Sequence, residues 1–486
     1  MNAILSFVLA ATALIPTLRE NINAISLSVV EDKDLARTYN EMSDYGYENG
    51  CDMRELYVKV PLDNEEFAEL SSLLNPDGSF SDVDYQSRIR GGWPVEIHAL
   101  RVQRLAIRYV RKGDSAARDA ALSAMRYWHS EMPECPNWWY NEIGVPRAMG
   151  PAYLLLLDDM SKQDVEGAIR VLGRAGLRQT GQNKIWQAGN VLLRGILQGN
   201  EPLVREARDS IASELHISGS AEGLQPDWSF HQHGPQLQFG NYGLSYAVSL
   251  SWWARAFEGT ELAFSEEQKE TLRNYLRNGL GKMVWNGWFD QNACGRQVFR
   301  NAQRGKALNV ADALDNLGIS LNDRMGGSYF PYSDFGVYHA KHWYASVRMQ
   351  SAGIKGYEMT NNENTMGYFS SDGALLVRCA GDEFADISPV WNWKHIPGAT
   401  TYDDGSDIRR EESHSVPFYN RSKRVSGKLQ GRCMVTWMEL DRDSLKARKA
   451  WFFWKGGIVC LGTGISRNAE GEVITTVAQS HLRGEV

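Results

Sequence analysis

One stretch near the middle of the chain reads Pro226-Asp227-Trp228-Ser229-Phe230-His231-Gln232-His233-Gly234-Pro235-Gln236-Leu237 and, after two intervening residues, Gly240-Asn241-Tyr242-Gly243. Glycine and proline break helical periodicity, so the stretch cannot be one regular helix. It predicts an ordered loop that carries a histidine and a tyrosine close together. Catalytic residues are concentrated on loops of this kind when a rigid scaffold holds them.

The sequence changes character after this loop. From about Glu65 to about Ile319 apolar residues recur at helical spacing, for example Leu100, Leu105 and Tyr109. After about Gly326 the pattern changes to short β-branched or aromatic runs separated by Gly, Asn and Asp, which predict antiparallel strands. These runs are 342–349, 374–379, 433–438, 451–454, 458–461 and 473–477.

The predicted fold is α+β and multidomain. We expect an N-terminal α/α toroid, an incomplete helical barrel, over residues 26–325, followed by an antiparallel β-sandwich over residues 326–486. No short sequence repeat is visible, which disfavours a regular helical array. Because the chain stops at Val486 soon after a strand, we expect this β-domain to be truncated at its C-terminus.

The first residues resemble a secretory signal peptide over residues 1–25. An apolar run from Ile4 to Ala10 precedes Ala11-Thr12-Ala13, which fits a small-x-small cleavage site. The segment before the apolar run has no Lys or Arg, and an ordinary amphipathic first helix is the alternative. We expect a secreted or periplasmic bacterial protein.

Composition excludes several classes of function. The net charge of −7 lacks the basic balance of a nucleic-acid binder, although a local basic cluster can still bind a polyanion. No apolar stretch after the N-terminal run is long enough to span a membrane. The six cysteines are scattered singly, so neither a C-x-x-C metal site nor a disulfide scaffold is expected. No acidic cluster has metal-ligand spacing, and we expect no metal and no cofactor.

Four local groups are candidates for a functional site. They are Asn183 in Thr180–Trp186, the pair His233 and Tyr242, the pair Arg296 and Arg300, and the run Asn137-Trp138-Trp139. Each alone has an ordinary structural explanation. An asparagine after glycine is usually a turn residue, two arginines four apart usually form a solvated helix face, and of two adjacent tryptophans one is usually core. A lone histidine such as His231 is best interpreted as a structural hydrogen-bonding group.

Together and in this order, these motifs resemble polysaccharide lyase family 8, which contains the hyaluronate, chondroitin AC and xanthan lyases. The resemblance covers roughly residues 65–486. It depends on Asn-Trp-Trp-x-x-Glu-Ile-Gly at 137–144, Thr-Gly-x-Asn at 180–183, Gln-His at 232–233, Tyr-Gly at 242–243, Gly-Arg-x-x-x-Arg at 295–300, Asn-x-Glu-Asn at 361–364, the run 393–401 and Thr475-Thr476. Gln-His-Gly-Pro-Gln-Leu-Gln at 232–238 is most similar to the chondroitin AC branch.

The resemblance implies β-elimination next to a uronic acid. It gives Asn183 and His233 the neutralisation of the substrate carboxylate, and Tyr242 the roles of general base and then general acid. A tyrosine has an ordinary pKa near 10, and a nearby guanidinium favours the phenolate, which suits Arg296. Further implied roles are substrate binding by Arg300, orientation of an arginine by Glu363, and sugar stacking by Trp138 and Trp139 with Asn137 beside them.

Alternatives remain open at this point. The segment Gln297-Val298-Phe299 departs from the Ser-Ile-Ser of xanthan and hyaluronate lyases, which leaves the identity of the substrate open. We expect chondroitin or hyaluronan, and a xanthan lyase is the alternative within the family. A glycoside hydrolase on a helical toroid would need two carboxylates, for which Asp227 and Glu142 are candidates. A non-catalytic glycan-binding protein would need the tryptophans alone. We expect an acidic polysaccharide as partner, no nucleic acid or membrane partner, and a monomer.

Overall fold

The structure is a computed structural model that describes residues 14–29, 58–219, 222–321, 324–361, 363–410 and 419–482. Two compact units share the chain. The first contains the residues up to Leu215 together with Ser249–Lys269, and the second contains His216–Val248 and the residues from Glu270 onward. The division differs from the predicted boundary at 325, because the loop of residues 222–243 and residues 270–321 pack with the strands.

The described residues form the α-helices α1 (Leu14–Ser26), α2 (Asn64–Leu73), α3 (Glu96–Lys112), α4 (Ser115–Glu131), α5 (Val145–Leu156), α6 (Lys162–Leu172), α7 (Gly181–Leu197), α8 (Glu201–Ala212), α9 (Leu244–Ala256), α10 (Glu266–Asn278) and α11 (Ala302–Asn316). Two π-helical turns, Tyr140–Gly144 and Phe239–Gly243, lead directly into α5 and α9. None of the helices in the described ranges is both long and apolar enough to cross a membrane.

The first unit is built from α1 to α8, with the second half of α9 and the start of α10. Helices α3, α5 and α7 lie at its centre, since α3 packs on α4 and α5, and α7 packs on α5, α6 and α8. The burial of helix α3 agrees with this central position, because every residue from Glu96 to Arg108 is buried. Asp114 caps the N-terminus of α4 through its side chain, and Gly113 before it has the left-handed conformation that ends α3.

Helix α1 packs on α5 and buries Leu14, Leu18 and Ile22. Arg19 forms a bidentate ion pair with Asp158, with N···O distances of 3.0 and 2.9 Å. The predicted end of a signal peptide at residue 25 therefore falls inside a packed helix. The proposed cleavage motif at 11–13 lies outside the described residues.

The second unit contains two four-stranded antiparallel sheets. One has the order β5 (Gly326–Phe330), β6 (Phe335–His339), β7 (Tyr344–Arg348), β8 (Ala374–Arg378); the other has the order β10 (Val425–Gln430), β11 (Cys433–Arg442), β12 (Leu445–Trp454), β13 (Gly457–Arg467). Their inner faces share an apolar core in which Tyr338 and Val347 meet Met434, Trp451 and Phe453. The order predicted from the sequence, helices followed by antiparallel strands, is confirmed.

Three two-stranded antiparallel pairs complete the second unit. They are β1 (Gly223–Leu224) with β2 (Phe230–His231), β3 (Val284–Trp285) with β4 (Trp288–Phe289), and β9 (Thr400–Asp403) with β14 (Glu472–Thr475). The pair β1 and β2 forms the base of the loop that carries His233 and Tyr242. Each of the six runs predicted as strands overlaps a strand of the structure, namely β7, β8, β11, β12, β13 and β14.

Candidate active site

The loop of residues 222–243 places His233 and Tyr242 against each other. Their rings meet edge to face, with centroids 4.9 Å apart and planes at 69°. His233 has a left-handed backbone, with φ of +59°, and Gly234 follows at φ of +90°. Tyr242 lies in the π-helical turn Phe239–Gly243 and is 7% exposed. The two residues that the sequence places nine positions apart are therefore in direct contact.

Arg296 joins this pair from a separate segment of the chain. Its guanidinium carbon lies 5.4 Å from the centre of the Tyr242 ring. Its Nε donates to Glu363 Oε2 at 2.7 Å, and its Nη1 donates to Glu358 Oε2 at 2.8 Å. Burial alone would lower the pKa of Arg296, but Glu358, Glu363 and Tyr242 outweigh it and hold the pKa well above its usual value. The guanidinium is a fixed positive charge beside the tyrosine.

Glu358, which no sequence motif identifies, connects the arginine to the histidine. Its Oε1 is 2.5 Å from His233 Nδ1, and its Oε2 accepts from Arg296 and from Gln238 Nε2 at 2.9 Å. Burial raises the pKa of this carboxyl, but the charge of Arg296 and the hydrogen bond from His233 hold it far below its usual range. The sequence offered one signal for it: Glu358 stands between the apolar Tyr357 and Met359. A glutamate in an apolar segment is rarely buried unless a cation or donor pairs with it, so its position suggests a paired carboxylate.

The structure thus brings four predicted residues, His233, Tyr242, Arg296 and Glu363, into one cluster of the second unit. Arg300 lies four residues after Arg296 and is exposed. His231 is buried, and its Nε2 lies 3.1 Å from Ser333 Oγ, as expected for a structural group. Burial lowers the pKa of His231 to about 4.

The other predicted residues belong to the first unit. Asn183 is the third residue of α7 and is buried, and its Oδ1 has no hydrogen-bond partner among the residues that the structure describes. Trp139 packs edge to face on Trp186, with centroids 5.5 Å apart, and Trp186 lies three residues after Asn183 on α7. Trp138 is 41% exposed, so the two adjacent tryptophans differ in environment.

Asn137 has a structural task in the same unit. Its Nδ2 donates to the carbonyl of Arg90 at 3.0 Å, and its Oδ1 accepts from the backbone N–H of Trp139 at 3.2 Å. These bonds fix the turn that carries the two tryptophans. The predicted contacts of Asn137, Trp138 and Trp139 with a sugar, and of Asn183 with a carboxylate, stay predictions.

Two family descriptions match most of the chain. "Polysaccharide lyase family 8, N terminal alpha-helical domain" matches residues 51–319, and "Polysaccharide lyase family 8, super-sandwich domain" matches residues 325–486. Chondroitinase-AC of Pedobacter heparinus is 32% identical over 466 residues, which cover 89% of this chain and 66% of that protein. Hyaluronate lyase of Thermasporomyces composti is 23% identical, over 80% of this chain and 59% of that protein.

Solved structures show the same fold. A chondroitinase AC lyase solved in oligosaccharide complexes has a TM-score of 0.80 and 26% identity, over 97% of this chain and 69% of that one. Chondroitin AC lyase of Streptomyces coelicolor A3, in complex with chondroitin sulphate, has a TM-score of 0.78 and 19% identity, over 96% and 71%. The chain spans about two thirds or less of the length of the two curated relatives. On the two matched descriptions, the chain belongs to polysaccharide lyase family 8.

Proposed function

We propose that this protein is a polysaccharide lyase that cleaves a chondroitin- or hyaluronan-type chain by β-elimination beside a uronic acid. One observation carries the proposal: Tyr242 is held between the His233 ring and the Arg296 guanidinium, and two carboxylates fix those groups in turn. The similarity to Chondroitinase-AC of Pedobacter heparinus supports the same class of substrate.

In the proposed reaction Tyr242 moves one proton. Its phenolate takes the hydrogen from C5 of the uronic acid, and the C5 electron pair forms the C4–C5 double bond. The C4–O4 bond breaks, and the Tyr242 phenol returns its proton to this glycosidic oxygen, which leaves as the anomeric hydroxyl of the departing sugar. The charge of Arg296 beside the ring favours the phenolate, and the family resemblance gives Asn183 the neutralisation of the substrate carboxylate.

His233 is proposed to meet the uronic acid through its imidazole, whose orientation is set in part by Glu358, since Glu358 Oε1 lies 2.5 Å from His233 Nδ1. Glu358 and Glu363 keep Arg296 in place, since each accepts from a different nitrogen of its guanidinium. The cluster has the parts that such an elimination needs: a proton carrier, a cation beside it and an oriented imidazole.

Hydrolysis is a poorer explanation of the same chain. A glycoside hydrolase needs two carboxylates that flank the scissile bond. Asp227 accepts from Ser229 N and Oγ and from Tyr332 N, at 2.7 to 2.9 Å, so this carboxylate is used in a turn. Glu142 accepts from Gln187 Nε2 at 2.7 Å. Both candidates therefore serve local structure.

A substrate panel tests the proposal. The protein is incubated with chondroitin sulfates, hyaluronan and xanthan, and the ultraviolet absorbance of the conjugated double bond is followed. We expect the absorbance to rise with a chondroitin sulfate or with hyaluronan. The control variant is Tyr332→Phe, at an exposed tyrosine of the same unit, and it should give the same absorbance as the parent. New reducing ends without absorbance would mean hydrolysis, and binding without either product would mean a glycan-binding protein.

We also propose a secreted or periplasmic location and a monomeric state. The substrate is a long polymer, which is degraded where it occurs, and an apolar run precedes Ala11-Thr12-Ala13 at the N-terminus. N-terminal sequencing of protein from the periplasmic and extracellular fractions of a bacterial host tests the first point. Light scattering during size-exclusion chromatography tests the second.

A further inference from the structure

The backbone of His233 is held from both sides by charged side chains. Its N–H donates to Glu222 Oε1 at 3.0 Å, and its carbonyl accepts from Lys355 Nζ at 2.8 Å. The other oxygen of Glu222 accepts from Gln232 Nε2 at 2.8 Å, and the backbone N–H of Lys355 donates to the Pro235 carbonyl at 2.9 Å. The carboxylate of Glu222 and the ammonium group of Lys355 thus bind the backbone on the two sides of the His233 Cα atom.

The backbone conformation of His233 explains why these two hydrogen bonds are needed. A φ of +59° is a left-handed backbone conformation that residues other than glycine adopt at a cost in energy. Such a conformation persists only where the surroundings fix it. The N–H belongs to the peptide plane before the Cα atom and the carbonyl to the plane after it. Glu222 and Lys355 therefore fix both planes, and with them the direction of the Cα–Cβ bond from which the imidazole projects.

We propose that Glu222 and Lys355 are positioning residues that hold the His233 imidazole against Glu358 and Tyr242. The inference rests on the proposed role of His233 in β-elimination. Glu358 holds one ring nitrogen, and the Tyr242 ring meets the imidazole edge to face. The two backbone contacts fix the chain that carries the imidazole, so that the ring meets substrate and Tyr242 from one position.

The test is a set of variants of the full chain with turnover and binding measured separately. Lys355→Met removes the positive charge and the hydrogen-bond donor but keeps a side chain of similar length. Lys355→Arg keeps both the charge and the donor. Lys446→Met, on the exposed side of β12, is the matched control. Lys355→Met should lower kcat roughly ten- to hundred-fold, as expected for a small displacement of a reacting group, with KM changed less than about threefold. Lys355→Arg should recover most of the loss, and Lys446→Met should match the parent.

A double-mutant cycle separates positioning from general damage. In the His233→Ala background Lys355→Met should have no further effect on kcat, because its contribution runs through the imidazole. Glu222→Gln, which keeps an oxygen for the His233 N–H, should lose less turnover than Glu222→Ala. If Lys355→Met folds poorly, Lys355→Gln, which removes the charge but keeps a donor, takes its place, and NMR of a sample labelled at its histidine rings should show a shifted His233 signal in Lys355→Gln and a parent-like signal in Lys355→Arg.

The outcomes distinguish the role of Lys355 from that of His233. An inactive His233→Ala together with a parent-like Lys355→Met would overturn the positioning proposal and leave the proposed function intact. A fully active His233→Ala would overturn the role of the histidine itself. Equal losses from Lys355→Met in the parent and in His233→Ala would show that the lysine acts on the fold and not through His233.

Discussion

Glu358→Gln is the most informative single change, because this one carboxylate joins His233 to Arg296. It is 4% exposed and accepts three hydrogen bonds, from His233, Arg296 and Gln238. Glutamine has the same shape but only one acceptor atom and no charge. Its oxygen can keep Arg296 and Gln238, so the bond to His233 Nδ1 is the one that is lost as a charged contact.

The expected cost follows from these contacts. Loss of one hydrogen bond to a buried charged group costs about 1.5–3 kcal/mol in the free energy of unfolding. Glu363 still accepts from Arg296, so the arginine is not left unpaired. Glu358→Ala removes every contact, and breaking a buried ion pair in this way costs about 3–5 kcal/mol. The alanine variant should therefore be the less stable of the two by about 2 kcal/mol.

The same residue predicts a dependence on pH. The pKa of Glu358 is depressed in the folded protein, so its stabilising contribution is complete above the ordinary glutamate pKa of 4.5 and is lost progressively as the pH falls below that value. Glu358→Gln has no such titration. Urea unfolding of parent and variant should show a constant difference in free energy from neutral pH down to about 4.5, and a shrinking difference below it.

Turnover measured on the same samples completes the experiment. We expect Glu358→Gln to lose most of its ultraviolet-detected activity at neutral pH, under conditions where urea unfolding shows that it is folded. An unfolding free energy equal to that of the parent at neutral pH would refute the assigned contacts. A difference that grows toward acid pH would refute the direction of the pKa shift.

Three further variants test other parts of the site. Tyr242→Phe should abolish elimination yet leave polysaccharide binding, measured by calorimetry, close to that of the parent, because only the proton carrier is removed. Asn183→Ala should lower kcat at least about a hundred-fold, as loss of a single oxyanion donor does, and parent-like turnover would contradict its role. Gly240→Ala should lower the unfolding free energy by about 1–3 kcal/mol, because its Cβ would lie 2.5 Å from the Ala293 carbonyl oxygen, whereas Gly176→Ala, which meets open space among the described residues, should be neutral in the same urea titration.

Much of the fold could be predicted from periodicity alone. The change from a period of 3.6 to short strands between residues 319 and 326 coincides with the end of α11 and the start of β5. Strands β5 and β6 were missed because they begin Gly326-Gly327 and Phe335-Gly336, and glycine carries no β-branched signal. The division of the chain into two units could not be predicted from the sequence either, because it depends on packing between segments that are distant in sequence.

The candidate site could be predicted only in part. His233, Tyr242, Arg296 and Glu363 each stand in a motif whose order along the chain carries information. Glu358 and Glu222 stand in no motif, and only the folded chain shows that one holds the imidazole and the other the backbone N–H. The left-handed conformation of His233 was equally hidden, since a positive φ is expected at the glycine that follows and not at the histidine.

The glycines around Tyr242 explain why this loop looks unusual as a sequence. Gly240 lies so close to Ala293 and Cys294 that no side chain fits, and Cys294 stands two residues before Arg296. The missing side chain therefore allows the turn that carries the tyrosine to lie directly against the segment that carries the arginine. A larger residue at position 240 would push the Tyr242 ring away from the Arg296 guanidinium, so the glycine that breaks helical periodicity is also the residue that lets the two groups meet.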